Sequence, residues 1–313
     1  MPWFGIGKKQ EGWMALRCAA ERVDLAHVRC APGGRPEVMR LETYRNEGTL
    51  ADSLARLRKS LHLERYRCAT VLAQGSYQMV QIEAPNVPPE ELRQAVRWKV
   101  KDLLDGPVEN ATLDLIELPV ESTSGRTRQL FVVAAGNAVI RETMQEFDGA
   151  GVPLEVIDIP ELAQRNVAAL FEPENRGLAM LAFDEVGGLL TFSYGGELYL
   201  ARRIEVSAAQ LQQADAERRG QLVERIGLEL QRSLDHFDRQ FNFISLAKLL
   251  VVPVPGVPEL GEYLAANLYV PLEVLDLARV MDFPAIPELR KVERQAECLH
   301  LLGTALRAGS LAA

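Results

Sequence analysis

Each half of this sequence opens with the same series of short strands. Runs of apolar residues predict these strands. They lie at residues 12–28 (two strands), 37–44, 178–183, 189–194 and 197–204. A helix is predicted over 50–61, where leucine recurs every three or four residues. A length of 313 residues gives room for two domains of ordinary size. The sequence therefore predicts an α/β protein with two lobes, residues 1–170 and 171–313.

A second helix is predicted over 88–104, directly after paired prolines, which end whatever element precedes them. Four apolar residues at helical spacing form one stripe: Leu92, Val96, Val100 and Leu103. Three basic residues lie off that stripe: Arg93, Arg97 and Lys101. The Trp98 side chain points about 140° away from the centre of the stripe. Two interpretations are open: Trp98 contacts another molecule, or a second layer of the same protein covers it.

The remaining helices and strands complete the two lobes. Residues 87–151 read as helix, strand, strand and helix, which predicts a small α+β subdomain inserted in the first lobe. In the second lobe a long helix is predicted over 218–242, because its apolar residues step by three or four along one face. A C-terminal helix is predicted over 287–308.

Several segments match the pattern of a known family. They read Glu90-Glu91-Leu92, Ala95-Val96-Arg97-Trp98, Asp105-Gly106-Pro107-Val108-Glu109, and residues 112–116 and 230–237. The chain resembles the PilM-like family of type IV pilus assembly, and within it most closely the MshI-type members of mannose-sensitive haemagglutinin (MSHA) pilus biogenesis. The resemblance implies an actin-like fold of the hexokinase and Hsp70 type, with the inserted subdomain at about 87–151 in the first lobe.

The same resemblance implies a function and a partner. PilM-like proteins are cytoplasmic scaffolds that bind the cytoplasmic N-terminal peptide of an inner-membrane PilN-like protein. The groove for that peptide lies between the first subdomain and the inserted one, and the helix over 88–104 is expected at this border. Arg93, Arg97, Trp98 and Lys101 are then the candidate partner-binding residues. Two alternatives are an actin-like ATPase of the same machinery and a cytoplasmic component of a type II secretion system.

The first of two expected phosphate-binding hairpins departs from the actin-like pattern. Such hairpins contain glycine because backbone amides reach phosphate oxygens only where no Cβ intervenes. In the hairpin at 16–24, Arg17 stands where the family pattern calls for aspartate, and Ala19 stands where it calls for glycine. This hairpin is therefore expected to have lost its metal anchor.

The second hairpin retains more of the actin-like pattern. It has Asp184, Gly187 and Gly188, with the spacing from aspartate to glycine stretched by one residue. The turn expected beside adenosine, at 253–256, contains two prolines, which offer no amide donor. We therefore expect no catalytic residue, no metal and no cofactor, with weakly bound ATP or ADP as the alternative.

Composition argues against several other classes of function. The formal net charge of −8 is opposite to that of a nucleic-acid-binding surface. The four cysteines are scattered, which favours buried thiols over disulfides or zinc. No apolar run has the length of a membrane span. We expect a cytoplasmic protein, and the resemblance implies a place at the inner face of the bacterial inner membrane, with peripheral membrane association as an alternative to contact through a partner alone.

Overall fold

The computed structural model describes residues 9–31, 33–119 and 127–307. The strands are β1 Trp13–Cys18, β2 Arg22–Arg29, β3 Glu37–Arg45, β4 Arg67–Val71, β5 Tyr77–Glu83, β6 Ala111–Glu117, β7 Gln129–Gly136, β8 Leu154–Asp158, β9 Gly177–Phe183, β10 Gly188–Tyr194, β11 Glu197–Ile204, β12 Leu246–Val251 and β13 Leu272–Val274. The α-helices are α1 Leu50–Leu61, α2 Pro89–Val100, α3 Asn137–Gly149, α4 Pro160–Ala168, α5 Ala208–Gln213, α6 Ala216–Gln240, α7 Pro258–Asn267 and α8 Val292–Ala305.

Two five-stranded sheets have the same topology. The first has the order β3-β2-β1-β4-β8, and the second has the order β11-β10-β9-β12-β13. In each sheet an antiparallel meander supplies three strands, and its first strand pairs in parallel with the strand that follows a helix. The two halves of the chain therefore repeat one plan, as the sequence predicts.

The third sheet has three strands in the order β5-β7-β6. The sequence places the start of the inserted subdomain near residue 87. The structure differs, because β5 already pairs with β7 of this subdomain. The sheet of the inserted subdomain therefore begins at Tyr77. The partner strand lies far along the chain, so local sequence does not reveal the pairing.

Each lobe is completed by a helix from the other half of the chain. Helix α4 packs against β9, β10 and β11 of the second sheet, and α8 packs against β1, β2 and β4 of the first. The assignment of the C-terminal helix to the second lobe is therefore corrected. The two helices cross where a Cβ on Gly303 would lie 2.1 Å from the Ala163 carbonyl oxygen. Only glycine permits this approach.

Three helices differ from their predicted bounds. Helix α2 ends at Val100, so Leu103 falls in the following turn, where it is exposed, and Leu104 packs on the apolar cluster instead. Helix α6 begins after Asp215, whose carboxylate accepts a hydrogen bond from the Arg218 amide. A short 3₁₀ turn precedes α8, and residue 308 lies outside the described residues.

Candidate functional site

The first hairpin, between β1 and β2, carries its own ion pair. Arg17 Nη2 lies 2.8 Å from Asp24 Oδ2, and Thr43 Oγ1 donates to Asp24 Oδ1 at 2.7 Å. Burial favours a higher pKa for the Asp24 carboxyl, but the bonds from Thr43 and Arg17 outweigh it and hold this pKa below its ordinary value. Arg17, which stands in place of the expected metal anchor, is thus already paired with a carboxylate of the protein.

The second hairpin, between β9 and β10, satisfies its own amide donors. Asp184 Oδ1 accepts hydrogen bonds from the amides of Val186 and Gly187, each at 2.9 Å. The glycines are needed for packing, since a Cβ on Gly187 would lie 2.6 Å from the Ile204 carbonyl oxygen. The donors available to a phosphate in an open hairpin are here bonded to the hairpin's own carboxylate.

The turn after β12 has the prolines that the sequence places beside adenosine. Gly256 adopts a φ of +77°, and the Val257 amide donates to the Val254 carbonyl at 3.1 Å. Neither Pro253 nor Pro255 has an amide to offer. At the three elements of the expected nucleotide site, Arg17 is thus paired with Asp24, the Val186 and Gly187 amides are bonded to Asp184, and two positions of the turn are prolines.

A groove of about 650 Å³ lies between the inserted subdomain and the first lobe. Its apolar lining consists of Ile140, Met144, Phe147, Val152, Pro153 and Leu154. Its polar lining consists of Thr112, Asn137, Arg141, Gln145 and Asp148. Most of these residues belong to one face of α3, and Met144 is 56% exposed. An exposed methionine in an apolar groove suits the binding of a flexible apolar segment.

Two sheet edges border this groove. Thr112 belongs to β6, an edge of the three-stranded sheet, and Leu154 belongs to β8, an edge of the first sheet. An edge strand offers backbone amides and carbonyls with which an extended peptide can pair. The groove therefore has an apolar floor, with the backbone groups of the β8 edge at one side.

The sequence resemblance places helix α2 at the border between the inserted subdomain and the first lobe, but in the structure α2 does not line the groove there. The residues of α2 that face the protein pack on β7 through Leu130 and Val132, whereas Ile140 of α3 packs with Val133 and Ala135. Side chains alternate across a strand, so α2 and α3 cover opposite faces of the same sheet. The helix that forms the groove is α3.

The four predicted partner-binding residues separate into two pairs. Arg97 donates to the carbonyls of Val108 and Ala111, and Arg93 donates to the carbonyl of Leu113. These arginines hold the turn and edge of β6. Trp98 is 68% exposed, and the Lys101 ammonium lies 5.9 Å from the centre of its ring. The interpretation that a second layer of the protein covers Trp98 is therefore wrong for the described residues, and its contact with another molecule stays a prediction.

The groove residues on α3 are not evident from the sequence. Ile140, Met144 and Phe147 recur at helical spacing, which indicates an apolar face on α3 but not that Met144 within it stays uncovered.

The structure carries no cluster of His, Cys, Asp and Glu suited to a metal within the described residues. Among the described helices, none is long and apolar enough to span a membrane. Burial raises the pKa of the Cys18, Cys68 and Cys298 thiols to about 12, whereas Cys30 is exposed.

No protein-family model and no curated protein matches the chain. It is similar to a chain of the solved PilM-PilN type IV pilus biogenesis complex, with a TM-score of 0.73 and 22% identity over 94% of this chain and 98% of that one. It is also similar to a protein of actin-like ATPase fold and unknown function from Bacteroides thetaiotaomicron. There the TM-score is 0.50 and the identity 10%, over 95% of this chain and 98% of that one.

A third similar structure is the cytoplasmic domain of EpsL, an inner-membrane component of the type II secretion system of Vibrio cholerae. Its TM-score is 0.48 and its identity 13%, over 96% of this chain and 100% of that chain. The repeated five-stranded sheets and the first two similarities define the class of protein. The chain has the two-lobed actin-like fold, which confirms the fold expected from the sequence.

Proposed function

We propose that this chain is a non-catalytic scaffold of a type IV pilus assembly machine, of the MSHA type. It binds the cytoplasmic N-terminal peptide of a PilN-like inner-membrane protein. The observation that carries the proposal is the similarity to a chain of the PilM-PilN complex along 94% of this chain. Several sequence segments resemble the same family. The scaffold works in the cytoplasm, at the inner face of the inner membrane.

The groove along α3 is the proposed binding site for this peptide. Its apolar floor buries alternate side chains of an extended segment, and the edge of β8 supplies backbone partners. Affinity then comes from apolar burial and main-chain hydrogen bonds, while the polar rim selects the sequence that fits.

The absence of catalysis is supported by the two hairpins. Arg17 is ion-paired to Asp24, and Asp184 bonds the amides of its own hairpin. A nucleotide would have to displace both sets of bonds and would leave the largely buried Asp24 carboxylate without its Arg17 partner. The proposal therefore includes no cofactor and sets aside the actin-like ATPase of the same machinery.

The exposed face of α2 is proposed as a separate contact. Trp98 and Lys101 lie on the side of the three-stranded sheet opposite to α3. An exposed tryptophan beside a cation is typical of an interface anchor. A partner that uses this face does so in addition to the groove.

The test is a calorimetric titration with the synthetic N-terminal peptide of the membrane protein encoded next to this chain. Wild type should bind it, and Met144→Arg should weaken binding at least about tenfold by placing a charge on the apolar floor. The matched control is Glu142→Arg, on an exposed part of α3 outside the groove lining. Equal binding by all three proteins contradicts the proposed site, and no binding by wild type contradicts the proposed partner.

A further inference from the structure

Arg203 joins three separate parts of the chain. From β11 of the second lobe, its guanidinium donates to Glu161 Oε1 of α4 at 2.6 Å. It also donates to the Tyr77 hydroxyl of β5 at 3.0 Å and to Gln74 Oε1 at 2.9 Å. The second lobe is therefore bonded through one side chain to the base of the inserted subdomain.

This contact is largely shielded from water. The Glu161 side chain is 5% exposed and that of Arg203 is 26% exposed. Tyr77 also donates its hydroxyl to Glu161, and burial beside this carboxylate raises the pKa of Tyr77, which keeps the donor protonated. If Arg203 were removed, Glu161 would remain buried without its cation, which is an unfavourable arrangement.

A row of paired strand residues connects the Arg203 contact to the groove. Tyr77 lies opposite Ala135 of β7, and Ala135 lies opposite Thr112 of β6, so the three residues form one row across the sheet. Thr112 lines the groove, and its hydroxyl donates to Asn137 Oδ1 at 2.8 Å. Asn137 is the first residue of α3. Adjacent strands are about 4.8 Å apart, so the row is short.

We propose that Arg203 is a positioning residue for the groove. By fixing Tyr77 to α4 and to the second lobe, it sets the position of the three-stranded sheet and therefore of the groove wall formed by Thr112 and α3. The role of the groove in binding rests on the proposed function, whereas the positioning itself does not. In this proposal the hydrogen bonds of Arg203 connect the second lobe to the inserted subdomain.

The test compares Arg203→Gln with Arg202→Gln, an exposed neighbour on the same strand. Amide hydrogen exchange is measured without any ligand, across β5, β6 and the first turn of α3. Arg203→Gln should exchange faster in these segments, while Arg202→Gln should match wild type. Equal exchange in a folded Arg203→Gln protein overturns the proposal. If that variant does not fold, Tyr77→Phe and Arg203→Lys decide in its place, since each keeps part of the contact.

A second readout separates this proposal from the proposed function. The neighbouring membrane protein's N-terminal peptide should bind Arg203→Gln about tenfold more weakly than wild type, because a mispositioned wall costs binding energy. Unchanged affinity in that variant overturns the link to the groove. If wild type itself does not bind the peptide, the proposed function fails, and hydrogen exchange still decides whether Arg203 positions the sheet.

Discussion

The guanidinium of Arg17 lies 2.8 Å from the carboxylate of Asp24 on the facing strand of the first hairpin. Arg17 occupies the position where PilM-like proteins are expected to have aspartate. A cation there cannot hold a metal ion, and its charge is already balanced by Asp24. The Arg17–Asp24 pair therefore supports the proposal that this hairpin holds no metal and no nucleotide.

Nucleotide should therefore leave the stability of the protein unchanged. We expect no rise in melting temperature with magnesium and ATP at about 5 mM. The measurement is sensitive, because a ligand at 100 times its dissociation constant adds about 2.7 kcal/mol to the free energy of unfolding. A clear rise in melting temperature would show that the hairpins accept phosphate after all.

Replacing Trp98 should affect binding and not stability. Trp98 is 68% exposed, so Trp98→Ala should change the free energy of unfolding by no more than about 0.5 kcal/mol. Truncation of an interface anchor typically costs about 2 kcal/mol of binding. Denaturant unfolding and binding to the partner's whole cytoplasmic region measure the two effects.

The control for this variant is Trp13→Ala. Trp13 is 4% exposed, so its truncation should cost about 3–5 kcal/mol of stability. If Trp98→Ala binds the partner as tightly as wild type, α2 is not a partner surface.

The ion pair at Asp24 should make stability depend on acid pH. Because the pKa of Asp24 is lower in the folded protein, its contribution is complete above the unfolded pKa of about 3.9 and is lost as pH falls through the folded pKa. The difference in melting temperature between wild type and Asp24→Asn should therefore be largest near neutral pH and should narrow below about pH 4. A difference that stays constant into strong acid contradicts this assignment.

The crossing of α4 and α8 should depend on Gly303. Gly303→Ala places a methyl group against the Ala163 backbone and should cost about 1–3 kcal/mol of stability through overpacking. The matched variant is Gly261→Ala in α7, where a Cβ meets no atom within 4 Å. That change should be neutral or stabilising by up to about 1 kcal/mol. Equal stability of the two variants would contradict the close helix crossing.

Local patterns in the sequence predict most helices and strands but not how distant ones meet. The helix at 50–61 and the strand at 197–204 match the structure at both ends. The leucine spacing marks the helix, and the tight turn at Gly195-Gly196 precedes the strand. The pairing of Tyr77 with Ala135 and the packing of α8 on the first sheet depend on contacts between remote segments. Periodicity within one segment contains no information about these contacts.

The same limit applies to the candidate site. Changed hairpin residues such as Arg17 can be read directly from the sequence, because the resemblance defines the residue type that is expected there. The groove cannot be read in this way, since Met144 occupies an ordinary apolar position of α3 and only the surrounding fold leaves it exposed. Arg203 likewise looks like a surface residue until Glu161 and Tyr77 are placed beside it.

The most direct test of the account is the methyl resonance of Met144 in methionine-labelled protein, followed by NMR while the partner's N-terminal peptide is added. Met180, which is fully buried in the second sheet, is the internal reference. If the peptide binds in the groove along α3, the Met144 signal shifts and saturates at one peptide per chain while the Met180 signal stays in place. Peptide binding that leaves the Met144 signal unchanged would contradict the proposed groove, and so would a peptide that does not bind at all.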